Sequence, residues 1–195
     1  MNNLAIWSAG IVAFTTVLSS AAPAMADGEF LQFDLSPDSS TLVGSVVRGD
    51  IGTALSLSLF DGGGALSANT TYSWNFPALG EGALIRLGPT ARLDQSDDFN
   101  LGAKVVFERW SPTDWGGVFM LADYNTIQNE YLLLTEVSGG QNGLSASFAI
   151  QGDDDSFREN TLMFGYNIMG SDLRLRLGYK FESEQVVFGF SINTF

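Results

Sequence analysis

The stretch DLRLRLGYKF, residues 172–181, alternates strictly between large apolar residues and polar, basic or glycine residues. Leucine, tyrosine or phenylalanine fills the odd positions from 173 to 181, and Arg174, Arg176, Gly178 and Lys180 fill even positions. Successive side chains of a β-strand point to opposite faces. The segment therefore predicts a strand with one apolar face and one face of small or basic residues.

The same alternation recurs along the chain from residue 29 onward, interrupted by turn signals rich in Gly, Pro, Asp and Asn. The clear runs are 54–59, 66–74, 83–93, 99–108, 144–151, 161–168 and 186–193. The less regular runs are Glu29–Leu35, Thr41–Arg48, Gly116–Asn125 and Ile127–Val137. Counting the runs between turns predicts about twelve strands, or about ten if the weak N-terminal runs merge, each with the roughly 10-residue length of a membrane-barrel strand.

The composition of the two faces favours a membrane barrel over a soluble one. The apolar face is large and aromatic, whereas the opposite face is mostly Gly, Ala, Ser, Thr and Asn, too small and uncharged for a water-facing surface. Aromatic residues also collect near the ends of the runs, as interfacial girdles do. They are Trp74, Phe76, Trp110, Trp115, Tyr124, Tyr131, Tyr179 and Phe181. We expect an all-β, closed, antiparallel up-and-down transmembrane barrel, with a soluble periplasmic binding barrel as the weaker alternative.

The first 26 residues have the organisation of an export signal. Residues 4–22 are apolar and rich in small residues, and the helix-breaking Pro23 precedes Ala24-Met25-Ala26. Small residues at positions 24 and 26 fit the groove of a signal peptidase, so cleavage after Ala26 is predicted. A retained membrane anchor is the alternative, because the apolar length approaches the lower limit for spanning. Cleavage would leave one domain, residues 27–195.

Charge and residue content exclude several classes of function. The chain holds 22 Asp and Glu against 9 Lys and Arg, and its formal charge of −13 disfavours a nucleic-acid partner. It has no cysteine, hence no disulfide framework, thiolate metal site or lipid-anchor cysteine. It has no histidine, which removes the base of a Ser-His-Asp or Cys-His system and the commonest metal ligand. We expect neither an enzyme nor a bound cofactor or metal.

Two short motifs are more simply explained as turns than as ligand loops. The DGGG sequence at 61–64 is typical of a hairpin turn rather than of a nucleotide-binding loop. The DDD sequence at 153–155 lacks the D-x-D-x-D-G spacing of a calcium loop, so we interpret it as a solvated acidic tip.

The mature chain resembles the outer-membrane β-barrel class of Gram-negative bacteria. It shares the signal peptide, an even strand count and a final strand that ends in Phe195. The resemblance implies recognition of the C-terminal strand by the barrel-assembly machinery, and a surrounding of outer-membrane lipid and lipopolysaccharide. Phe195 is out of phase with Phe188, Phe190 and Ile192, and a bulge near residues 193–194 would restore the phase.

With both termini in the periplasm, the odd-numbered connections face the outside. This arrangement places the acidic segments 94–98 and 153–155 at the cell surface. The longest hydrophilic connection, Gly152–Asn160, is then also expected outside, which is the usual asymmetry of these barrels.

The small-residue face carries the charges that would lie inside the barrel. The candidate lumen residues are Arg86, Arg92, Lys104, Glu108, Glu130, Glu136, Arg174, Arg176 and Lys180. One interpretation is a basic stripe that attracts anions into a narrow, water-filled lumen. The other is an acid–base lattice that pairs across the barrel and fills it.

The leading hypothesis is therefore a small passive porin-like channel of the outer membrane, with a narrow basic lumen that admits anionic or small polar solutes. The alternative is a closed structural barrel, or an accessory barrel for envelope or exopolysaccharide assembly, without transport.

Overall fold

A computed structural model describes residues 27–96, 98–140, 143–154, 156–168 and 171–195. The predicted signal peptide and its cleavage after Ala26 lie outside these residues. The strands are β1 (Gly28–Ser36), β2 (Ser39–Arg48), β3 (Ile51–Phe60), β4 (Gly63–Asn75), β5 (Ala83–Asp94), β6 (Phe99–Thr113), β7 (Gly116–Asn125), β8 (Glu130–Gly139), β9 (Leu144–Gly152), β10 (Arg158–Asn167), β11 (Leu173–Lys180) and β12 (Gln185–Asn193). A single 3-10 turn, Pro77–Leu79, lies between β4 and β5 within the described chain. None of the described residues forms a helix long and apolar enough to cross a membrane.

The strands form one closed barrel. Each strand pairs antiparallel with the next along the chain, and β1 closes the ring by pairing with β12. The count of twelve confirms the sequence-based prediction, and the alternative count of ten is wrong. Closure pairs each of the described strands on both of its sides, which is the condition for crossing a hydrocarbon layer with strands.

The barrel is apolar on the outside. In the β11–β12 pair, Leu175 lies opposite Phe190 and Leu177 opposite Phe188, all on the outer face. Phe188 is 60% exposed, whereas Val187, the next residue along β12, points inward and is 2% exposed. An outer surface of large exposed apolar side chains is stabilised by lipid hydrocarbon and would be unfavourable in water.

The connections are short at both ends of the barrel. We call the end that holds Gly28 and Asn193 the terminal end, and the other the distal end. The longest connection is 76–82, between β4 and β5 at the terminal end. The hydrophilic connection predicted at 152–160 is shorter than expected, because β9 continues to Gly152 and β10 begins at Arg158, which leaves 153–157 as the connection.

The C-terminus does not form the predicted bulge. Residues of β12 keep an unbroken register with β1, and the Thr194 N–H donates to the Glu29 carbonyl at 3.0 Å. The ring of Phe195 lies so close to Gly28 that a Cβ there would overlap it. Phe195 therefore packs over the start of β1 at the terminal end and does not rejoin the lipid-facing aromatic residues.

One aromatic residue predicted for the girdles lies elsewhere. Tyr72 and Trp74 pack edge to face on the outer surface at the terminal end, 4.8 Å between ring centroids. Trp110, in contrast, lies two residues after the inward-facing Glu108 on β6 and therefore also points inward, where its ring covers Gly117. Trp110 therefore lines the terminal mouth of the barrel.

Candidate functional site in the barrel interior

The structure places the nine predicted lumen residues on the inner face. Arg86 and Arg92 come from β5, Lys104 and Glu108 from β6, Glu130 and Glu136 from β8, and Arg174, Arg176 and Lys180 from β11. Each alternates along its strand with outward-facing apolar residues. We call the inner face formed by these and their neighbouring inward side chains the lumen wall.

Arg86 and Glu108 form an ion pair between neighbouring strands near the terminal end. Arg86 Nη1 also donates to Ser73 Oγ on β4 at 2.6 Å. The two charged side chains are 16% and 19% exposed, so they are enclosed but still accessible to solvent. A charge-assisted hydrogen bond of this kind fixes both side chains and cancels their charges locally.

Arg174 on β11 forms an ion pair with Glu136 on β8, and strands β9 and β10 lie between them. Arg174 Nη1 donates to Glu136 Oε1 at 2.6 Å, and its Nε donates to Asn167 Oδ1 at 2.7 Å. The side chain crosses β10 at Gly165, where a Cβ would lie 2.7 Å from Arg174 Cδ. The glycine therefore lets the guanidinium lie flat along the lumen wall instead of projecting toward the axis.

A second long-range pair lies near the distal end. Arg92 on β5 pairs with Glu130 on β8 and also with Asp94 on its own strand, at 2.6 Å from Nε. The amide of Asn125 donates to the second oxygen of Glu130 at 3.0 Å. Both carboxylate oxygens of Glu130 are thereby bonded.

Two further ion pairs lie, along the barrel axis, between the Arg174–Glu136 pair and the Arg92–Glu130 pair. Lys104 Nζ is 2.6 Å from Asp123 Oδ2. Arg176 binds both oxygens of Asp34, at 2.9 and 3.2 Å, in the bidentate geometry that guanidinium and carboxylate prefer. Asp34 reaches Arg176 by leaning over Gly189 of β12, where a Cβ would overlap its carboxylate.

Lys180 has hydroxyl rather than carboxylate partners. Its Nζ donates to Ser39 Oγ at 2.7 Å and to Ser36 Oγ at 3.2 Å, across the distal end of the β1–β2 hairpin. These bonds join β11 to β1 and β2 across the seam at which the barrel closes.

The β11–β12 connection is fastened to the wall by carboxylates. Glu159 on β10 is 4% exposed and accepts two backbone N–H groups of this connection, at 3.0 and 3.2 Å. Glu182, in the connection itself, accepts the backbone N–H of Asn160. That hydrogen bond is the main reason why the pKa of Glu182 lies below its usual value.

The lumen wall is charge-paired and is not a basic stripe. The described residues place six cations on it, those named above, and seven carboxylates: Asp34, Asp94, Glu108, Asp123, Glu130, Glu136 and Glu159. Sequence reasoning missed Asp34, Asp94, Asp123 and Glu159. Asp94 shares the alternation of Arg92 and could have been found, whereas Asp123 lies in a run whose two faces are hard to distinguish.

An apolar belt separates two charged layers on one side of the lumen. The inward residues of β8 are, in order, Glu130, Leu132, Leu134, Glu136 and Ser138. Leu121 of β7 lies opposite Leu134. We call Leu121, Leu132 and Leu134 the apolar belt. It explains why these two runs look irregular in the sequence, because apolar residues occupy both of their faces.

The opposite side of the lumen wall is neutral. The inward side chains of β2, β3 and β4 include Thr41, Val43, Ser45, Ala54, Ser56, Ser58, Ser67, Asn69 and Thr71. Twelve tilted strands spaced about 4.8 Å apart give a backbone wall of about 12 Å radius. Small side chains on this arc leave more of that width open than large ones would.

These features define an outer-membrane-type β-barrel with twelve strands. The chain is similar to two solved structures, a KdgM porin and the KdgM porin in complex with disordered oligogalacturonate. Each shows a TM-score of 0.57 and 10% identity, over 85% of this chain and 97% of the other. A third structure, from work on the mechanism behind in-meso crystallization of membrane proteins, gives a TM-score of 0.50 at 10% identity, over 85% of this chain and 83% of that one. No protein-family model and no curated protein sequence matches the chain.

Proposed function

We propose that the protein is a small, passive, porin-like channel of the outer membrane. The observation that carries this proposal is the closed twelve-strand barrel whose charged lumen wall remains accessible to solvent, with 13–33% exposure at its inner ion-paired side chains. The proposal includes export with cleavage after Ala26, insertion by the barrel-assembly machinery, and lipopolysaccharide around the distal end. It assigns no catalysis to the chain.

The solutes we propose are small and polar, with weak discrimination by charge. Nearly balanced charges on the wall give little net field along the lumen, and the neutral arc of β2–β4 offers hydroxyl and amide groups. Anionic solutes remain included, because one of the similar structures holds an oligogalacturonate. The nine sequence-predicted residues would contact such solutes through the hydrogen-bonding groups left free by their pairs.

A second function, a closed structural or envelope-assembly barrel, is favoured by a different observation. Arg174 and Arg92 each reach a glutamate three strands away, and the apolar belt lies between these two layers. If these side chains met across the lumen, they would fill it and stiffen the barrel.

Liposome swelling separates the two functions. Liposomes that contain the refolded protein should swell in a neutral disaccharide and in a uronate of similar size at comparable rates. Swelling that is no faster than in protein-free liposomes would favour the closed barrel. The control for this result is that the protein migrates as a folded barrel before heating. A large preference for the uronate would contradict weak charge discrimination.

A further inference from the structure

Arg109 differs from the other cations at the terminal end of the barrel. Of the nine Lys and Arg residues, all within the described part of the chain, Arg109 and Arg158 alone have no ion pair or hydrogen bond there. Arg109 Nε is buried without a hydrogen-bond partner, as is Arg48 Nε, so the two arginines differ in the terminal nitrogens of their guanidinium groups. Arg48, also at the terminal end, is bonded to Glu29 at 2.7 Å.

Arg109 points to the outside of the barrel. On β6 it shares its alternation with Leu101 and Val105, which are 74% and 41% exposed on the outer face. Its neighbours across the two adjacent strands are Ala83 and Met120. The register of β6 with both neighbours is unbroken, so the assignment to the outer face follows from the pairing.

The 76–82 connection shelters this guanidinium. Gly80 has φ +105°, and a Cβ on it would lie 2.6 Å from Arg109 Nη2, so only glycine permits this approach without strain. The same connection exposes Phe76 and Leu79. Arg109 is thus partly covered by a connection that carries apolar side chains. The exposed Trp74 lies at the same end of the barrel, where tryptophan is typical of the membrane interface.

We infer that Arg109 and the 76–82 connection form a binding site for the phosphate of an anionic glycerophospholipid. A partly desolvated guanidinium with no protein partner needs an anion, and the outer face of the barrel at this end meets lipid head groups. A guanidinium binds phosphate in a bidentate manner. A zwitterionic head group supplies its own ammonium group and competes less well. The inference rests on the membrane placement of the barrel and is independent of whether the lumen conducts.

Tryptophan quenching by brominated lipid tests the site. The described tryptophans, Trp74, Trp110 and Trp115, all lie at the terminal end; Trp74, on the outer surface, reports lipids there, whereas Trp110 in the mouth of the lumen contributes background fluorescence. The refolded protein in phosphatidylcholine vesicles should be quenched more by a given fraction of brominated phosphatidylglycerol than by brominated phosphatidylcholine. The relative binding constant for phosphatidylglycerol should fall about tenfold in Arg109→Gln, the scale of a lost charge-assisted bond, and remain in the matched control Arg48→Gln.

Three outcomes would overturn the inference. Equal quenching by the two lipids in the wild-type protein would do so whether or not the variants fold. An equal loss in Arg48→Gln would show a general charge effect rather than a site. A preference for phosphatidylglycerol that stays unchanged in Arg109→Gln would show that the lipid binds elsewhere.

Discussion

Removal of one member of the Arg174–Glu136 pair should change the ion selectivity of the channel in a direction set by the residue removed. The two side chains are 21% and 18% exposed and lie 2.6 Å apart on the lumen wall. Glu136→Gln leaves the guanidinium uncompensated and adds one positive charge to the wall. Arg174→Gln leaves the carboxylate and adds one negative charge.

The size of the effect follows from the geometry of the barrel. With a wall of about 12 Å radius, an ion passes about 6 Å from the uncompensated group. In water at this distance the interaction is about 0.7 kcal/mol, reduced to about 0.4 kcal/mol by screening at 0.1 M salt. Because anions and cations respond with opposite sign, the anion-to-cation permeability ratio should change about fourfold.

The assay is the reversal potential of single channels under a KCl gradient. Glu136→Gln should move it toward anion selectivity, Arg174→Gln toward cation selectivity, and the double variant should return close to the wild type. Arg48→Gln changes the same charge on the outer face and should have no effect. Shifts of the same sign in both single variants, or none in either, would refute the assignment of this pair to the ion path.

Three other perturbations test separate parts of the account. Leu134→Ser, which places a hydroxyl group in the apolar belt, should raise single-channel conductance, and an unchanged conductance would show that the belt does not limit the ion current. Gly165→Val should displace Arg174 and destabilise the barrel by about 1–3 kcal/mol in urea unfolding, whereas Gly139→Ala, with its nearest atom at 3.7 Å, should be neutral. The pKa of Glu182 is lowered in the folded state. Its contribution to the order of the β11–β12 connection is therefore present above the ordinary glutamate pKa and is lost as the pH falls through the lowered value. Protease cleavage in that connection should increase in acid, and Glu182→Gln should remove this pH dependence.

The strand count and the two faces were predictable because they depend on local alternation alone. Residues 172–181 alternate without interruption, and the structure orients Leu175 outward and Arg176 inward as that pattern requires. The runs at 116–125 and 127–137 failed to separate into faces because Leu121 and Leu134 are apolar and point inward. The alternation of a single strand cannot tell an inward apolar residue from an outward one when both neighbours are apolar.

The pairing of the charges could not be predicted from the sequence, because it depends on register over several strands. Arg174 and Glu136 are 38 residues apart and meet only after the two strands between them, β9 and β10, have been placed. The carboxylate of Asp34 meets Arg176 across the closure of β1 on β12, 142 residues away. Without these distances, the even positions of β11 look like a basic stripe. The path of Phe195 over Gly28 likewise depends on the closure of the barrel.

A porin-like function requires that the charge-paired lumen of this barrel conducts ions. Planar-bilayer recording of the refolded mature protein, residues 27–195, tests it most directly. We expect discrete, ohmic conductance steps with weak selectivity between K⁺ and Cl⁻. Insertion of heat-modifiable, folded protein with no current steps would contradict it and would leave the closed barrel as the better description.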